Sequence, residues 1–184
     1  MLKKLNTYYF LKIVFSFMDE RRKLKIVKYN KTLQKILDRN LTNYKLFSSK
    51  YIKYESDGQV KELTSNSDKL IYEGGYLNGK RHGKGKEYDI RGRLQFEGEY
   101  LNGKRNGKGK EYDLRGNLQF EGEYKNGERN GKGKEYFFNN HNNYEQNLVF
   151  DGEYLNGQKN GKGKEYDIFT GKLLFEGEYI KDIK

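Results

Sequence analysis

The chain has 184 residues, of which 37 are Lys or Arg and 26 are Asp or Glu, and its formal net charge is +11. It contains no cysteine, which excludes disulfide bridges, thiolate metal sites and a cysteine nucleophile. Residues 1–55 hold 14 basic and 4 acidic side chains, whereas the remainder holds 23 and 22. All 22 glycines lie from Gly58 onward. The sequence therefore predicts a small basic module, residues 1–55, followed by a nearly neutral module of different construction.

The basic module is predicted to be α-helical. Residues 5–18 form a short apolar run that suits a helix, although so aromatic a run would also suit a strand. Asp19 can cap a second helix over residues 20–38, and residues 41–54 form a third small element. One face of the second helix is basic, and its candidate contacts for an anionic surface are Arg21, Arg22, Lys25, Lys28 and Lys35. A solvated basic face is the plainer interpretation of the same pattern.

Residues 1–18 have a basic start and an apolar run, but Lys12 interrupts the run and no small-residue cleavage site comes after it. We therefore expect neither a signal peptide nor a membrane-spanning helix there. The region resembles an F-box-like helical module in the spacing of Leu11, Ile13, Phe17, Met18, Asp19, Leu24, Val27, Asn30 and Leu33.

Residues 56–71 are polar and rich in turn formers, so they are predicted to be a linker or a hairpin that caps the second module. From residue 72 to the end, one signature recurs: an aromatic residue, an acid, glycine, a second acid and tyrosine. Its five copies start at Tyr72, Phe96, Phe120, Phe150 and Phe175, at steps of 24, 24, 30 and 25 residues. The first copy has Gly75 in place of the second acid. A near-constant period of this size predicts a repeat architecture over residues 72–184.

Each repeat is predicted to be an antiparallel β-hairpin. Phe96 and Tyr100 share one strand face because side chains alternate along a strand, and the glutamates between them face solvent. The turn is expected within Asn102–Gly107, and the second strand at Lys108–Tyr112. Gly107 and Gly109 fall opposite Tyr112 in a regular strand, and a β-bulge near the glycines would resolve this. The predicted buried face is made of Phe96, Tyr100, Phe120, Tyr124, Phe150, Tyr154 and their equivalents.

The 30-residue step comes from extra residues within positions 137–149, five of which are Asn. The composition predicts a solvated loop at this insertion.

The repeated residues resemble the MORN repeat, whose consensus is close to Tyr-Glu-Gly-Glu-Trp-x-Asn-Gly, over residues 72–179. Tyr replaces Trp here, and Lys-Glu-Tyr-Asp-x-x-Gly-x-Leu replaces the usual second half, as in variant MORN repeats. The resemblance implies a mainly β protein, an antiparallel hairpin array behind a small α-helical N-terminal module. It also implies a scaffold or tether, since proteins with such repeats act mostly in that way.

No motif indicates an enzyme, and we expect no catalytic residues, cofactor or metal. The run from Gly103 to Lys108 resembles a phosphate-binding loop, but its spacing is one residue short and no strand–helix unit surrounds it. His82 and His141 occupy unlike positions, while a zinc site needs three or four convergent ligands.

Two features are candidate binding sites: the basic helix and a ladder of tyrosines. The ladder either packs the repeats together or lines a groove for a partner's helix or extended peptide. Its members are Tyr100, Tyr112, Tyr124, Tyr136, Tyr154 and Tyr166. The sequence thus predicts a non-catalytic protein-interaction scaffold, in the cytoplasm, or alternatively a peripheral membrane-binding module recruited to anionic lipids. Nucleic-acid binding ranks last, and end-to-end homodimers would use the open strand edges of the array.

Overall fold

The computed structural model describes residues 50–55, 58–139 and 145–184. Residues 1–49, which hold the expected helices, the F-box-like spacing and the five basic candidate contacts, lie outside the described residues. Eleven strands lie side by side in chain order in one antiparallel sheet. They are β1 (Lys50–Tyr54), β2 (Gln59–Thr64), β3 (Leu70–Leu77), β4 (Lys80–Tyr88), β5 (Leu94–Leu101), β6 (Lys104–Tyr112), β7 (Leu118–Lys125), β8 (Glu128–Asn139), β9 (Glu145–Leu155), β10 (Gln158–Tyr166) and β11 (Leu173–Tyr179). The predicted antiparallel hairpin array is confirmed.

The chain divides into two compact units, residues 1–52 with 62–68 and residues 53–61 with 69–184. In the described part of the first unit, Tyr51 is fully buried and donates a hydrogen bond to Asp68 at 2.6 Å. The carboxylate of Glu62 is also fully buried, and the Lys50 ammonium lies 2.6 Å from it. Residues 50–54, which we expected within the helical module, form β1 instead, because alternating Lys and Tyr around Ile52 suit a strand.

The turns inside the repeats are shorter than predicted. Asn102 and Gly103 alone form the turn, with φ of +52° and +88°, and β6 begins at Lys104. A two-residue turn with both central φ values positive matches the right-handed twist of its strands. The Gly103 N–H donates at 2.9 Å to the Arg81 carbonyl, which ties this turn to the preceding hairpin.

A β-bulge lies at Gly107, where φ is +94°. Gly98 pairs with Gly109 and Tyr100 with Arg105, so the second strand has two more residues in this interval than the first. The bulge does not bring Gly109 and Tyr112 to one face: Gly109 lies against the Phe96 ring, and Tyr112 donates to Glu97 on the other face. Its effect is on register, since it places Arg105 opposite Tyr100, on the aromatic face of the sheet.

The core is a single row of aromatic rings along one face. Phe96, Phe120 and Phe150 are fully buried, and Tyr100 and Tyr124 are 3% and 4% exposed. Tyr124 and Tyr154 each meet the phenylalanines of their own repeat and of the preceding repeat edge to face, with centroids 5.2–5.6 Å apart. Tyr100 meets Phe96 and Tyr72 in the same way. The predicted buried face is confirmed. Each phenylalanine ring also lies on bare glycine, since a Cβ on Gly109 would be 2.4 Å from Phe96.

The insertion, within residues 137–149, is described only in part, and that part is strand rather than the predicted loop. Its described residues extend β8 and β9, with Phe137 opposite Asn147 and Phe138 opposite Gln146. Two aromatic residues at the start favour the strand over a loop. Residues 140–144 lie outside the described residues.

Candidate functional site: a groove on the polar face

The aromatic face is covered by charged side chains that pair along the sheet. Arg105 contacts Glu87 at 2.7 Å and Glu111 at 2.8 Å, and therefore links two successive hairpins. The same pattern continues through neighbouring repeats, as Arg81, Glu87, Arg105, Glu111, Arg129, Glu135 and Lys159. We call these seven residues the ion ladder.

The cations of the ion ladder lie directly on the aromatic rings. The guanidinium carbon of Arg129 is 4.0 Å from the centre of the Phe120 ring, and Lys159 Nζ is 4.2 Å from that of Phe150. Such contacts are attractive because the ring face is electron-rich. The rings are therefore inaccessible to a partner, and the aromatic face stabilises the fold rather than forming a binding site.

The opposite face carries an open groove of about 1120 Å³ that runs across the strands from β2 to β9. Six glycines leave bare backbone in it: Gly74, Gly85, Gly98, Gly109, Gly122 and Gly133. Seven lysines and seven carboxylates also line it, so the groove has no net charge. They are Lys61, Lys84, Lys86, Lys108, Lys110, Lys132, Lys134, Glu55, Glu73, Glu97, Glu99, Glu121, Glu123 and Asp151.

Basic and acidic strands alternate along the groove. Lys110 on β6 lies opposite Glu97 on β5 and Glu121 on β7, and its Nζ is 3.8 Å from Glu121. Opposite charges on neighbouring strands stabilise the sheet modestly and neutralise each other. A ligand in the groove therefore contacts alternating rows of positive and negative side chains rather than a surface of one sign.

A row of tyrosines orients three of the carboxylates. Tyr88 donates to Glu73 at 2.6 Å, and Tyr112 donates to Glu97 at the same distance. Tyr136 makes the equivalent bond to Glu121 at 2.7 Å. Burial and the hydrogen bond to Glu97 raise the pKa of Tyr112 to about 12, so the phenol stays protonated and keeps its donor role.

The structure separates the six tyrosines of the predicted ladder into two sets. Tyr100, Tyr124 and Tyr154 are buried in the aromatic row. Tyr112, Tyr136 and Tyr166 are half-buried, and the first two carry the bonds to groove carboxylates. None of the six is among the residues that line the groove.

Sequence reasoning missed the groove lysines, although a signal for them was present. The two Lys residues around Gly109 recur in every repeat, with Glu97 and Glu99 on the neighbouring strand. Repetition of an opposed charge pattern on one face indicates a continuous surface rather than scattered solvated residues.

Within residues 50–55, 58–139 and 145–184, no group of His, Asp and Glu side chains is arranged to hold a metal ion. His82 is half-buried in β4, and His141 lies outside these ranges. The same part of the chain holds no helix with the length and apolarity needed to cross a membrane.

These observations define a repeat protein built as one layer of stacked β-hairpins, with a packed aromatic face and a grooved polar face. The family model of the MORN repeat matches residues 72–92, 96–116, 120–141 and 150–167. The chain is a MORN-repeat protein. MORN repeats are commonly modules that bind proteins or membranes and are generally not enzymatic. A search of curated protein sequences finds no match to the chain.

Proposed function

We propose that this protein is a non-catalytic protein-interaction scaffold whose groove receives a segment of a partner protein. The observation that carries the proposal is the continuity of the groove across successive repeats. Its glycines present only backbone to the groove, and the Cβ atoms that they lack would point toward the aromatic rings on the other face. Long lysine and glutamate side chains on both sides supply adaptable polar contacts.

The charge balance of the groove favours a polypeptide as its occupant. Membranes and nucleic acids are recognised through fields of one sign, and the groove has equal numbers of lysines and carboxylates. A polypeptide carries both signs and can match the alternating strands. Recognition of this kind gives specificity more than affinity.

The test is capture of partners from the source cells by the full chain, compared with two charge-reversed variants. Lys108→Glu with Lys132→Glu alters the groove, while Lys104→Glu with Lys125→Glu makes the same charge change at the turns. None of the four lysines is buried, so circular dichroism should match the parent. A partner lost by the groove variant and kept by the turn variant supports the proposal. Partners captured equally by both variants contradict it.

Peripheral membrane binding is the second candidate, and it rests on the excess of ten positive charges in residues 1–55. Each basic residue near an anionic bilayer contributes about 1 kcal/mol, and salt weakens the attraction. Reversing Lys25, Lys28 and Lys35 to Glu should then abolish sedimentation with anionic liposomes. If the intact chain does not sediment with them at low salt, this candidate fails. For either candidate we propose a cytoplasmic location, because a chain without cysteine suits a reducing compartment.

A further inference from the structure

Of the four repeat hairpins, β5–β6, β7–β8 and β9–β10 each carry a glutamate carboxylate at the bulge. The first repeat hairpin, β3–β4, lacks it. In each of the three, a glutamate of the first strand lies over the positive-φ glycine of the second strand. A Cβ added to that glycine would be 2.1–2.3 Å from the glutamate Oε2. The pairs are Glu99 with Gly107, Glu123 with Gly131 and Glu153 with Gly161.

In the first hairpin the corresponding residues are Gly75 and Gly83. Gly83 has the same positive φ, +71°, but nothing lies within 4 Å of a Cβ added to it. The bulge is therefore present without the carboxylate that covers it elsewhere.

The covering carboxylate also has a backbone partner. In the last of the three hairpins, Glu153 Oε2 accepts a hydrogen bond from the Lys162 N–H at 3.3 Å. A glycine at positive φ followed by an outward N–H makes a small concavity that favours anions.

The first hairpin has the same backbone register at this point. Gly83 and Lys84 pair with β5 just as Gly161 and Lys162 pair with β11. The N–H of Lys84 is thus equivalent to that of Lys162, but no glutamate of its own hairpin lies at Gly83.

Two neighbouring side chains add to the polar character of this bulge. Lys84 lines the groove and is exposed, so a cation is available beside the concavity. Nδ1 of His82 is buried and has no hydrogen-bond partner among the described residues. The later hairpins have Asn in the place of this histidine, at Asn106, Asn130 and Asn160.

We propose that the bulge at Gly83–Lys84 is a binding site for a carboxylate from outside the chain, the side chain of a Glu or Asp in a polypeptide that occupies the groove. The three equivalent bulges each hold a glutamate, which defines the chemistry that the concavity accepts. That the carboxylate comes from a partner polypeptide rests on the proposed function, whereas the existence of the anion site does not. An acidic residue seated at the first hairpin would fix the register of a partner along otherwise similar repeats.

The site is tested by nuclear magnetic resonance of the ¹⁵N-labelled full chain, titrated with sodium acetate at constant ionic strength. The amide signals of Gly83 and Lys84 should shift in a saturable way. Those of Lys108 and Lys132, where glutamates already cover the bulge, should not. Absence of saturation at Lys84, or equal shifts at all three lysines, would overturn the proposal.

Two variants sharpen the test. Lys84→Glu, at an exposed position, should abolish the saturable response. Glu123→Ala should create a second responsive site at Lys132, and Glu128→Ala in the turn should create none. Gly75→Glu is less suitable, because a Cβ there would be 2.2 Å from the His82 carbonyl oxygen. If Glu123→Ala leaves Lys132 unresponsive while the chain stays folded, the comparison between hairpins is wrong.

A parallel titration with inorganic phosphate separates the sources of the anion. Saturation by phosphate at a tenfold lower concentration than acetate would contradict a carboxylate site. Because no partner is present, the result is independent of the proposed function. If the groove captures a partner but Lys84 shows no response to acetate, the carboxylate site is wrong and the scaffold function is unaffected. If Lys84 responds to acetate but no partner depends on the groove, the scaffold function is wrong and the site is unaffected.

Discussion

Arg105 lies over the ring of Phe96, with its guanidinium carbon 4.0 Å from the ring centre. Most domains cover their apolar residues with a second layer of secondary structure. The repeats of this protein form one layer, so the cover comes from charged side chains of the same face. Arg105 can do this because Glu87 and Glu111 balance its charge from the two sides. Burial lowers and these carboxylates raise the pKa of the guanidinium, with a net upward shift.

Removal of this cover should destabilise the sheet. Arg105→Ala exposes Phe96 and leaves Glu87 and Glu111 with one cation each, Arg81 and Arg129, instead of two. We therefore expect the free energy of unfolding to fall by about 2 kcal/mol. Arg105→Lys should lose about half of that, because Lys159 occupies the equivalent place over Phe150. Arg115→Ala, at an exposed turn position, is the control and should change stability by less than about 0.5 kcal/mol. Urea denaturation measures all three. Equal stability of the Arg105 and Arg115 variants would show that the ion ladder is not a structural cover.

Replacing a central aromatic ring should lower the free energy of unfolding more than removing the cation that covers a ring. Phe120 is fully buried between Tyr124 and Tyr154, so Phe120→Ala should lower the free energy of unfolding by about 3–5 kcal/mol. Phe137 is 42% exposed, and its replacement by Ala should cost about 1 kcal/mol or less. Thermal unfolding distinguishes the two variants. Indistinguishable curves for Phe120→Ala and the parent would mean that the buried face is assigned wrongly.

The tyrosine hydroxyls in the aromatic row are not equivalent. That of Tyr124 is buried and has no hydrogen-bond partner within the described residues, whereas that of Tyr179 donates to Glu165 at 2.9 Å. Burial and the nearby carboxylate of Glu111 raise the pKa of Tyr124. Tyr124→Phe should therefore leave stability unchanged or raise it by up to about 1 kcal/mol, and Tyr179→Phe should lower it by about 1 kcal/mol. Chemical denaturation that ranks the two in the reverse order would refute this difference.

Much of the fold can be predicted from the sequence, because its signals are local. The 24-residue step, the Asn-Gly turns and the spacing of Phe96 and Tyr100 together determine the hairpins and their buried face. The ion ladder could not be predicted in this way. It depends on the bulge at Gly107, whose two extra residues bring Arg105 opposite Tyr100, and the alternation of side chains alone does not predict this register.

The candidate site was less accessible to sequence reasoning than the fold. The lysines and glutamates could be placed on the polar face, but a groove arises from the shape of the whole sheet. The tyrosine ladder predicts the site less well, because Tyr100 and Tyr112 recur at equal spacing but differ in burial. The strand at the described ends of the insertion is not predicted by composition, because the asparagines outnumber the two phenylalanines that extend β8.

Tyr166, the counterpart of Tyr136 in the last repeat, faces a carboxylate that is one methylene shorter. Tyr136 donates to Glu121, fifteen residues earlier, but the equivalent residue for Tyr166 is Asp151, and the described residues show no hydrogen bond between the two. Asp151→Glu should supply the missing methylene and stabilise the chain by about 0.5–1 kcal/mol, while Glu121→Asp should cost a similar amount. Guanidinium denaturation of both variants checks this. The hypothesis fails if Asp151→Glu does not raise stability and Glu121→Asp does not lower it.

The grooved polar face, rather than the turns or the aromatic face, is the surface that we expect to receive a partner. Lysine footprinting by mass spectrometry tests this most directly, with the full chain alone and with a captured partner. We predict that modification of Lys108 and Lys110 in the groove falls severalfold on binding, while Lys104 and Lys125 at the turns react as before. Protection confined to Lys104 and Lys125, with the groove lysines unchanged, would contradict the assignment of this face.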